Sequence, residues 1–209
     1  MLSYKNFARR IGSRLRRTPL PSLIINLLLM LRWGCRINPF ARIEYPFSLR
    51  LGQGVRIGRS TILCRGSGQW PVVLGDRVFL HDGAIVDALD GFVSIGNDTT
   101  VNPYCVLYGT GGLSIGARCG IATHTVIVAA EHGIAAPDIP IMRQPMSAEG
   151  IRIADDVWIG AGCRILDGVS LERGCVAAAG AVVTKSFAAG SVIGGVPARL
   201  IKLRQGFSE

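Results

Sequence analysis

Glu131, His132 and Gly133 stand where a six-residue repeat stops, and the repeat resumes in the same phase at Ile153. A neutral imidazole accepts a proton near neutral pH, so His132 is a candidate general base. Because the phase is unchanged, the intervening residues are an insertion into a regular structure. We predict that residues 133–152 form a protruding loop at an active site.

The structure that must position this loop is built from six-residue units, each opened by an aliphatic residue and often continued by a small one. The units form six groups of three. Their opening residues are Leu51, Ile57, Leu63, Leu74, Leu80, Val86, Ile95, Val101, Leu107, Ile115, Ile121, Ile127, Ile153, Ile159, Ile165, Leu171, Ala177 and Val183. The fifth position is mostly small or apolar, as at Thr61, Ala84, Thr99, Cys105, Cys119, Thr125, Val157, Cys163, Cys175 and Ala181.

A period of six fits neither an α-helix nor a hairpin meander, and it is typical of a coil of short strands with a turn every sixth residue. Three units close one triangular coil, opening residues point inward, and successive coils stack at about 4.8 Å. The spacers 69–73, 92–94 and 113–114 fall between complete groups, where they can bulge without changing the phase. The sequence thus predicts one all-β solenoid domain over residues 51–204.

Residues 1–50 carry the whole net charge of +9, with ten basic residues and one acid, Glu44. Residues 4–17 place apolar side chains at four-residue spacing among arginines, the pattern of a basic amphipathic helix. The apolar run 23–31 is about half a membrane-spanning length, and no signal-peptide cleavage pattern follows it. We predict that residues 1–50 form a helical cap on the solenoid, and peripheral contact of residues 1–33 with the inner face of a membrane stays an open alternative. We expect no nucleic-acid partner.

The six cysteines form no CxxC pair and no tight cluster, and four of them occupy fifth positions of the repeat. They are typical of small buried residues in a reduced, cytoplasmic protein. His81 and His124 lie within regular units and are predicted to be surface or corner residues.

The repeat resembles that of the hexapeptide-repeat acyltransferases, whose fold is a left-handed parallel β-helix that normally assembles as a trimer. The segments 153–162, 180–185 and 194–199 are similar to those of maltose and galactoside acetyltransferases. The segment 142–151 is closer to the sugar and polysaccharide O-acetyltransferase branch. The resemblance covers about residues 51–204 and implies acetyl-CoA as the acyl donor.

The resemblance also implies site residues. His132 matches the catalytic histidine, which takes a proton from the acceptor hydroxyl as its oxygen attacks the thioester. Asn102 matches an acceptor-binding asparagine, and Thr110 replaces an aspartate of the galactoside enzymes. The expected contacts with coenzyme A are Ala161, Ala179, Thr184, Lys185, Arg199 and Lys202.

Position within the coil adds an independent inference. Asn102 is eighth in its group of eighteen and His132 is last in its own, so the two lie at different corners of one prism. They can converge only across a subunit boundary, which makes the active site a shared one. Glu131 falls on a fifth position, so either the coil has begun to open there or its carboxylate orients His132.

Three alternatives to the predicted O-acetyltransferase function remain. The acceptor can be the amine of an amino sugar or a xenobiotic, or the chain can be a β-helix scaffold without catalysis. The three histidines also invite comparison with the gamma-class carbonic anhydrases, which hold zinc on this fold. His124 and His132 are farther apart in the sequence than the close pair of that site, so we predict no metal.

Overall fold

The computed structural model describes residues 19–64 and 71–207, and most of them belong to a parallel β-solenoid. Each short strand pairs in parallel with the equivalent strand of the next coil, as Val106–Tyr108 does with Val126–Val128. This confirms the all-β fold predicted from the six-residue repeat. The predicted amphipathic segment 4–17 lies outside the described residues.

Within the described residues, α-helix α1 spans Pro19–Trp33, and 3-10 helices span Pro46–Ser48 and Ile141–Arg143. The strands in chain order are β1 (Arg36–Ile37), β2 (Arg42–Glu44), β3 (Leu49–Leu51), β4 (Arg56–Ile57), β5 (Thr61–Leu63), β6 (Val72–Leu74), β7 (Phe79–Leu80), β8 (Ile85–Asp87), β9 (Val93–Ile95), β10 (Thr100–Val101), β11 (Val106–Tyr108), β12 (Leu113–Ile115), β13 (Gly120–Ile121), β14 (Val126–Val128), β15 (Glu131–His132), β16 (Met146–Ser147), β17 (Ile151–Ile153), β18 (Trp158–Ile159), β19 (Arg164–Ile165), β20 (Ser170–Leu171), β21 (Val176–Ala177), β22 (Val182–Val183), β23 (Ser191–Gly195) and β24 (Ala198–Leu203).

The strands form the three faces of a prism. The first sheet runs β1-β4-β7-β10-β13-β18-β21-β23-β24, the second β2-β5-β8-β11-β14-β19-β22, and the third β3-β6-β9-β12-β17-β20. We name the corner between the first and second sheets the first corner, and that between the second and third sheets the second corner. The third corner joins the third sheet to the first sheet of the next coil.

The core consists of the inward residues of all three faces, and the predicted opening residues whose side chains are described are buried. The register differs at one predicted opening position, because β5 pairs with β8 so that Ile62, and not Leu63, lies beside Val86. Ile62 is fully buried, and buried Ser60 takes the corner position that the sequence assigned to Thr61. The first corner of this coil is therefore one residue shorter than the repeat predicts.

The third face is wider than a strict repeat of six predicts. Spacer residues 93–94 and 113–114 do not bulge; they lengthen β9 and β12 to three residues, with Val93 and Leu113 pointing into the core beside Ile95 and Ile115. Each third-face strand from β3 to β17 thus contributes two inward side chains.

Glycine follows the opening residue at the third corner because the next coil passes close by. Asp76 Oδ1 accepts a hydrogen bond from Gln53 N at 2.8 Å, and Asn97 Oδ1 accepts one from Asp76 N at 2.8 Å. A Cβ added at Gly52 or Gly75 would collide with these side-chain oxygens and with the adjacent backbone. The pattern of aliphatic residue, glycine and Asp or Asn therefore permits consecutive coils to stack closely at the third corner.

The solenoid begins before residue 51. β1 pairs in parallel with β4 and β2 with β5, so residues 36–51 form a complete first coil. Helix α1 packs on this coil: Leu29 joins the buried core, and the amide of buried Asn26 donates to the carbonyl oxygen of Ala41 at 3.1 Å. The first coil therefore begins before the predicted boundary at residue 50, and the described part of the cap is α1. No described helix is long and apolar enough to cross a bilayer.

Candidate active site

The loop leaves the solenoid at the second corner, between β14 and β17, and begins as a two-stranded ribbon. Glu131 and His132 of β15 pair in antiparallel fashion with Ser147 and Met146 of β16. Gly133 N donates to Pro145 O at 3.0 Å and continues the ribbon by one step. His132 is thus fixed by backbone pairing at the base of the loop.

Two side chains that the sequence did not indicate hold the loop in shape. The buried side chain of Gln144 bridges the loop, accepting from Ala136 N at 3.0 Å and donating to Ile139 O at 2.8 Å. At the returning strand, Asp167 accepts hydrogen bonds from the backbone N–H groups of Glu149 and Gly150, both at 2.9 Å. The sequence alone could not indicate these roles, because the backbone groups that the two side chains bind become their neighbours only when the loop has folded.

The imidazole of His132 is half-buried, and its Nδ1 atom is buried without a hydrogen-bond partner among the described residues. Glu131 is exposed and its carboxylate makes no contact with that nitrogen. Of the two interpretations of Glu131, the structure therefore favours the opening of the coil. A buried ring nitrogen without a partner costs free energy unless another group meets it, so this atom indicates a functional position.

Asn102 lies at the first corner, directly after β10, as its place in the group of eighteen predicts. Its Nδ2 donates to Ile121 O of the next coil at 2.9 Å, which fixes the amide against the corner. His132 leaves from the second corner, so within one chain these two candidates are on different edges of the prism.

Ala161 and Ala179 continue the corner of Asn102 on the next coils and are exposed. They stack directly, since Gly180 N donates to Ala161 O at 2.8 Å. A Cβ added at Gly162 or Gly180 would meet no atom within 4 Å, so the space beside these alanines is open. The first corner thus carries a smooth ridge of small residues that an extended, narrow ligand can lie against.

The remaining candidates are divided between two places. Thr110, Thr184 and Lys185 lie at the second corner, with Lys185 Nζ 5.7 Å from the ring centroid of Phe187. Arg199 and Lys202 lie on β24, the antiparallel strand that ends the first sheet, and both are exposed. One chain therefore does not bring all four predicted phosphate ligands together.

Trp158, which the sequence suggested to be packing beside the coil, is half-exposed on the first face. The indole covers Gly120 of the coil before it, where an added Cβ would come within 2.6 Å of the ring. Two ion pairs border the indole: Arg118 with Asp155 at 3.1 Å and Arg204 with Asp156 at 3.2 Å. Trp158 therefore packs against the preceding coil and also presents an exposed indole surface on the first face.

His81 and His124 are corner residues, as predicted; both lie at the first corner, whereas the loop of His132 leaves the second corner. His124 stacks on Tyr104, with ring centroids 5.3 Å apart. Burial, followed by the charge of Arg56, lowers the pKa of His81 below its ordinary value. Among residues 19–64 and 71–207 no group of three metal-ligating side chains is found.

Comparison with known proteins gives partial matches. No family model matches the chain. A probable acetyltransferase of Mycobacterium tuberculosis is 30% identical over 158 residues, which are 74% of this chain and 50% of that protein. A 2,3,4,5-tetrahydropyridine-2,6-dicarboxylate N-acetyltransferase of Staphylococcus aureus is 49% identical over 59 residues, 28% of this chain and 25% of that protein. The matches thus span half or less of these relatives.

Two solved structures resemble the whole solenoid. A mutant of AntD, an N-acyltransferase from Bacillus cereus in complex with dTDP and coenzyme A, aligns with a TM-score of 0.53 and 21% identity, over 86% of this chain and 88% of that one. The polysialic acid O-acetyltransferase OatWY aligns with a TM-score of 0.52 and 22% identity, over 84% and 87%. The chain therefore shares its parallel β-solenoid fold with these two acyltransferase structures.

Proposed function

We propose that the protein is an acetyl-CoA-dependent O-acetyltransferase that modifies a hydroxyl group of a sugar or glycan precursor. The observation that carries the proposal is the in-phase loop, which presents one imidazole whose Nδ1 is buried and meets no hydrogen-bond partner in the described part of the chain. The likeness to an O-acetyltransferase and an N-acyltransferase supports acyl transfer as the reaction class.

In the proposed reaction His132 acts as general base. Its neutral imidazole takes the proton of the acceptor hydroxyl while that oxygen attacks the thioester carbonyl. The tetrahedral intermediate collapses with loss of the thiolate, which receives the proton from the imidazolium. No covalent enzyme intermediate is needed, and all six cysteines are buried in the core away from the loop.

We propose that the working unit is a homotrimer with the active site shared between subunits. Asn102 and the ridge of Ala161 and Ala179 lie at the first corner, whereas the loop of His132 leaves the second corner. A loop that reaches a neighbouring subunit would bring its histidine to the neighbour's first corner. The exposed apolar side chains of the loop support such a contact; they are Ile134, Ile139, Ile141, Met142 and Met146.

We assign acetyl-CoA to the same groove. Ala161 and Ala179 leave room for the pantetheine arm, because any larger side chain would project into the space beside the corner. Thr184 and Lys185 of one subunit and Arg199 and Lys202 of the next are the proposed ligands of the nucleotide phosphates. Asn102 and Thr110 are the proposed acceptor contacts. The buried thiols favour a reduced compartment, and we place the reaction in the cytoplasm.

A second candidate is N-acylation of an amino sugar. It is favoured by the likeness to AntD, an N-acyltransferase whose structure holds dTDP and coenzyme A. Product analysis distinguishes the two candidates, since mild base removes an O-acetyl ester and leaves an amide intact.

The test compares His132→Ala with Glu131→Gln in an assay of nucleotide sugars and lipid-linked glycans with labelled acetyl-CoA. Loss of a general base lowers turnover by about 10²–10⁴-fold, so His132→Ala should be nearly inactive with an unchanged oligomeric mass. Glu131→Gln is the matched control, because its exposed carboxylate does not contact the imidazole, and its rate should stay within about twofold of the original.

Near-normal turnover of His132→Ala would overturn the assignment of the base. Absence of coenzyme A binding in calorimetry on the unmodified protein would favour the non-catalytic scaffold instead.

A further inference from the structure

The outer side of α1 is a continuous apolar surface that the solenoid does not cover. Five side chains form it, and their exposed fractions run from 40% to 75%; they are Leu23, Ile24, Leu27, Leu28 and Leu31. Their spacing of one, four, five and eight residues places them on one side of a helix. The opposite side is occupied by buried Asn26 and Leu29. The helix thus has apolar side chains on two sides; one side packs against the core, and the other is exposed.

The neighbouring first coil carries a further exposed apolar side chain. The side chain of Asn26 donates to the carbonyl oxygens of Asn38 and Pro39, both at 3.4 Å, which places the first corner of that coil against α1. Phe40 projects from this corner with 72% of its side chain exposed. We name the five α1 residues together with Phe40 the end-cap face.

The sequence before α1 and the residues at its end are basic. Residues 1–18 contain six lysines and arginines and no acid. Within the described part, exposed Arg32 and Arg36 lie at the end of α1 and just beyond it. The first acid in the chain, Glu44, is ion-paired with Arg42.

Charge decides between the possible occupants of this face. A second copy of the same face would bring arginines against arginines at the rim of an apolar contact, which disfavours self-association. An anionic bilayer meets both properties, because leucines enter the interface while arginines contact lipid phosphates. The described helix is too short to span, so the contact is one of lying in the interface.

We propose that the end-cap face binds the surface of an anionic lipid bilayer. α1 lies in the plane of the interface with Leu27, Leu28 and Leu31 inserted. The solenoid axis then points away from the bilayer, because α1 covers one end of the prism. The inference does not depend on the identity of the acyl acceptor.

The experiment is co-sedimentation of the full chain with vesicles of phosphatidylcholine alone and of phosphatidylcholine with phosphatidylglycerol. The double variant Leu27→Ser/Leu31→Ser is compared with Leu200→Ser/Ile201→Ser, which removes two exposed apolar side chains from β24 at the other end of the solenoid. Far-UV circular dichroism and light scattering establish that each variant keeps the fold and the oligomeric mass.

We expect the original chain to bind the anionic vesicles, with binding that weakens at high salt. The α1 variant should lose about tenfold or more of its partition coefficient, from the apolar area withdrawn from the interface. The β24 variant should bind like the original chain.

Absence of binding to the anionic vesicles would overturn the proposal, and so would an equal loss in both variants. A fall in oligomeric mass of the α1 variant, without vesicle binding by the original chain, would identify the end-cap face as a subunit contact.

Discussion

The cysteine side chains are the clearest case in which a single residue type reports its environment. Burial raises the pKa of each of the six thiols, and it raises the pKa of Cys64 to about 12, with the nearby charge of Asp87 as a smaller cause. The neutral thiol is therefore the form that the fold favours.

We expect Cys64 to be nearly inert to iodoacetamide at pH 8 in the native protein. With a pKa near 12 its thiolate fraction is about a thousand times lower than that of an ordinary thiol, whose pKa is near 9. Peptide mass spectrometry of the alkylated protein measures the rate. The same digest after labelling in urea is the control, and fast labelling without denaturant would contradict the predicted burial.

The sign of the linked pH effect follows from the same shift. A group whose folded-state pKa is raised contributes stability that is present below its unfolded pKa and is lost as pH rises. The free energy of unfolding should therefore fall between about pH 9 and pH 12 as thiols ionise in the unfolded chain.

At this scale the sequence identified the positions that follow from a repeat and missed those that do not. The buried opening residues and the break at His132 were predictable, because a periodic core and an in-phase insertion leave a direct signal. Gln144 and Asp167 were not, since each bonds backbone groups that become neighbours only after the loop has turned back. The displacement from Leu63 to Ile62 was missed because both are apolar.

Among the elements, α1 and the first coil depend on one buried polar side chain. Asn26 is 1% exposed and its amide donates to three carbonyl oxygens of the first corner. The neutral amide fixes the position of the helix across the end of the prism, whereas apolar contacts alone would permit it to slide.

Asn26→Ala should lower the free energy of unfolding by about 1–3 kcal/mol, because it leaves buried carbonyl groups without their donor. Hydrogen exchange should also accelerate in α1 before the central coils are affected. Leu28→Ala is the matched control on the exposed side of the same helix and should change stability by less than about 0.5 kcal/mol. Equal losses in the two variants would argue against the amide as the positioning group.

The boundaries of elements were less predictable than their type. The first coil was missed although its inward residues Ile37 and Ile43 are six residues apart, and a 3-10 helix, Pro46–Ser48, interrupts the repeat after them. The spacers of the third face seemed to be bulges because a strict period leaves no place for a second inward residue. In the structure the third face is wide enough for the inward side chains of Val93 and Leu113, so these residues extend the strands.

For the whole molecule, the separation of Asn102 and His132 on two corners makes a prediction about assembly. The variants Asn102→Ala and His132→Ala should each be nearly inactive alone. Mixed, unfolded and refolded together in equal amounts, they should recover about a quarter of the original activity, because a quarter of the shared sites in random trimers combine both intact residues.

Light scattering of the refolded mixture establishes that trimers have formed. Mixing the same proteins without unfolding is the control and should recover little activity. If the two residues worked within one chain, co-refolding would restore nothing, and the shared site would be wrong.

Because the coils stack at a regular spacing, the number of coils sets the distance between the capped end of the solenoid and Asn102. Asn102 follows the fourth strand of the first sheet, three strand spacings from β1, so about 14 Å separate its level from that of the capped coil. A protein that rests on a bilayer by that cap would hold its acceptor groove at a fixed height above the lipid headgroups. Inserting one whole coil between β4 and β7 would raise the groove by about 4.8 Å without altering it. Acceptors would then be chosen by how far their sugar stands from the membrane as well as by its chemistry.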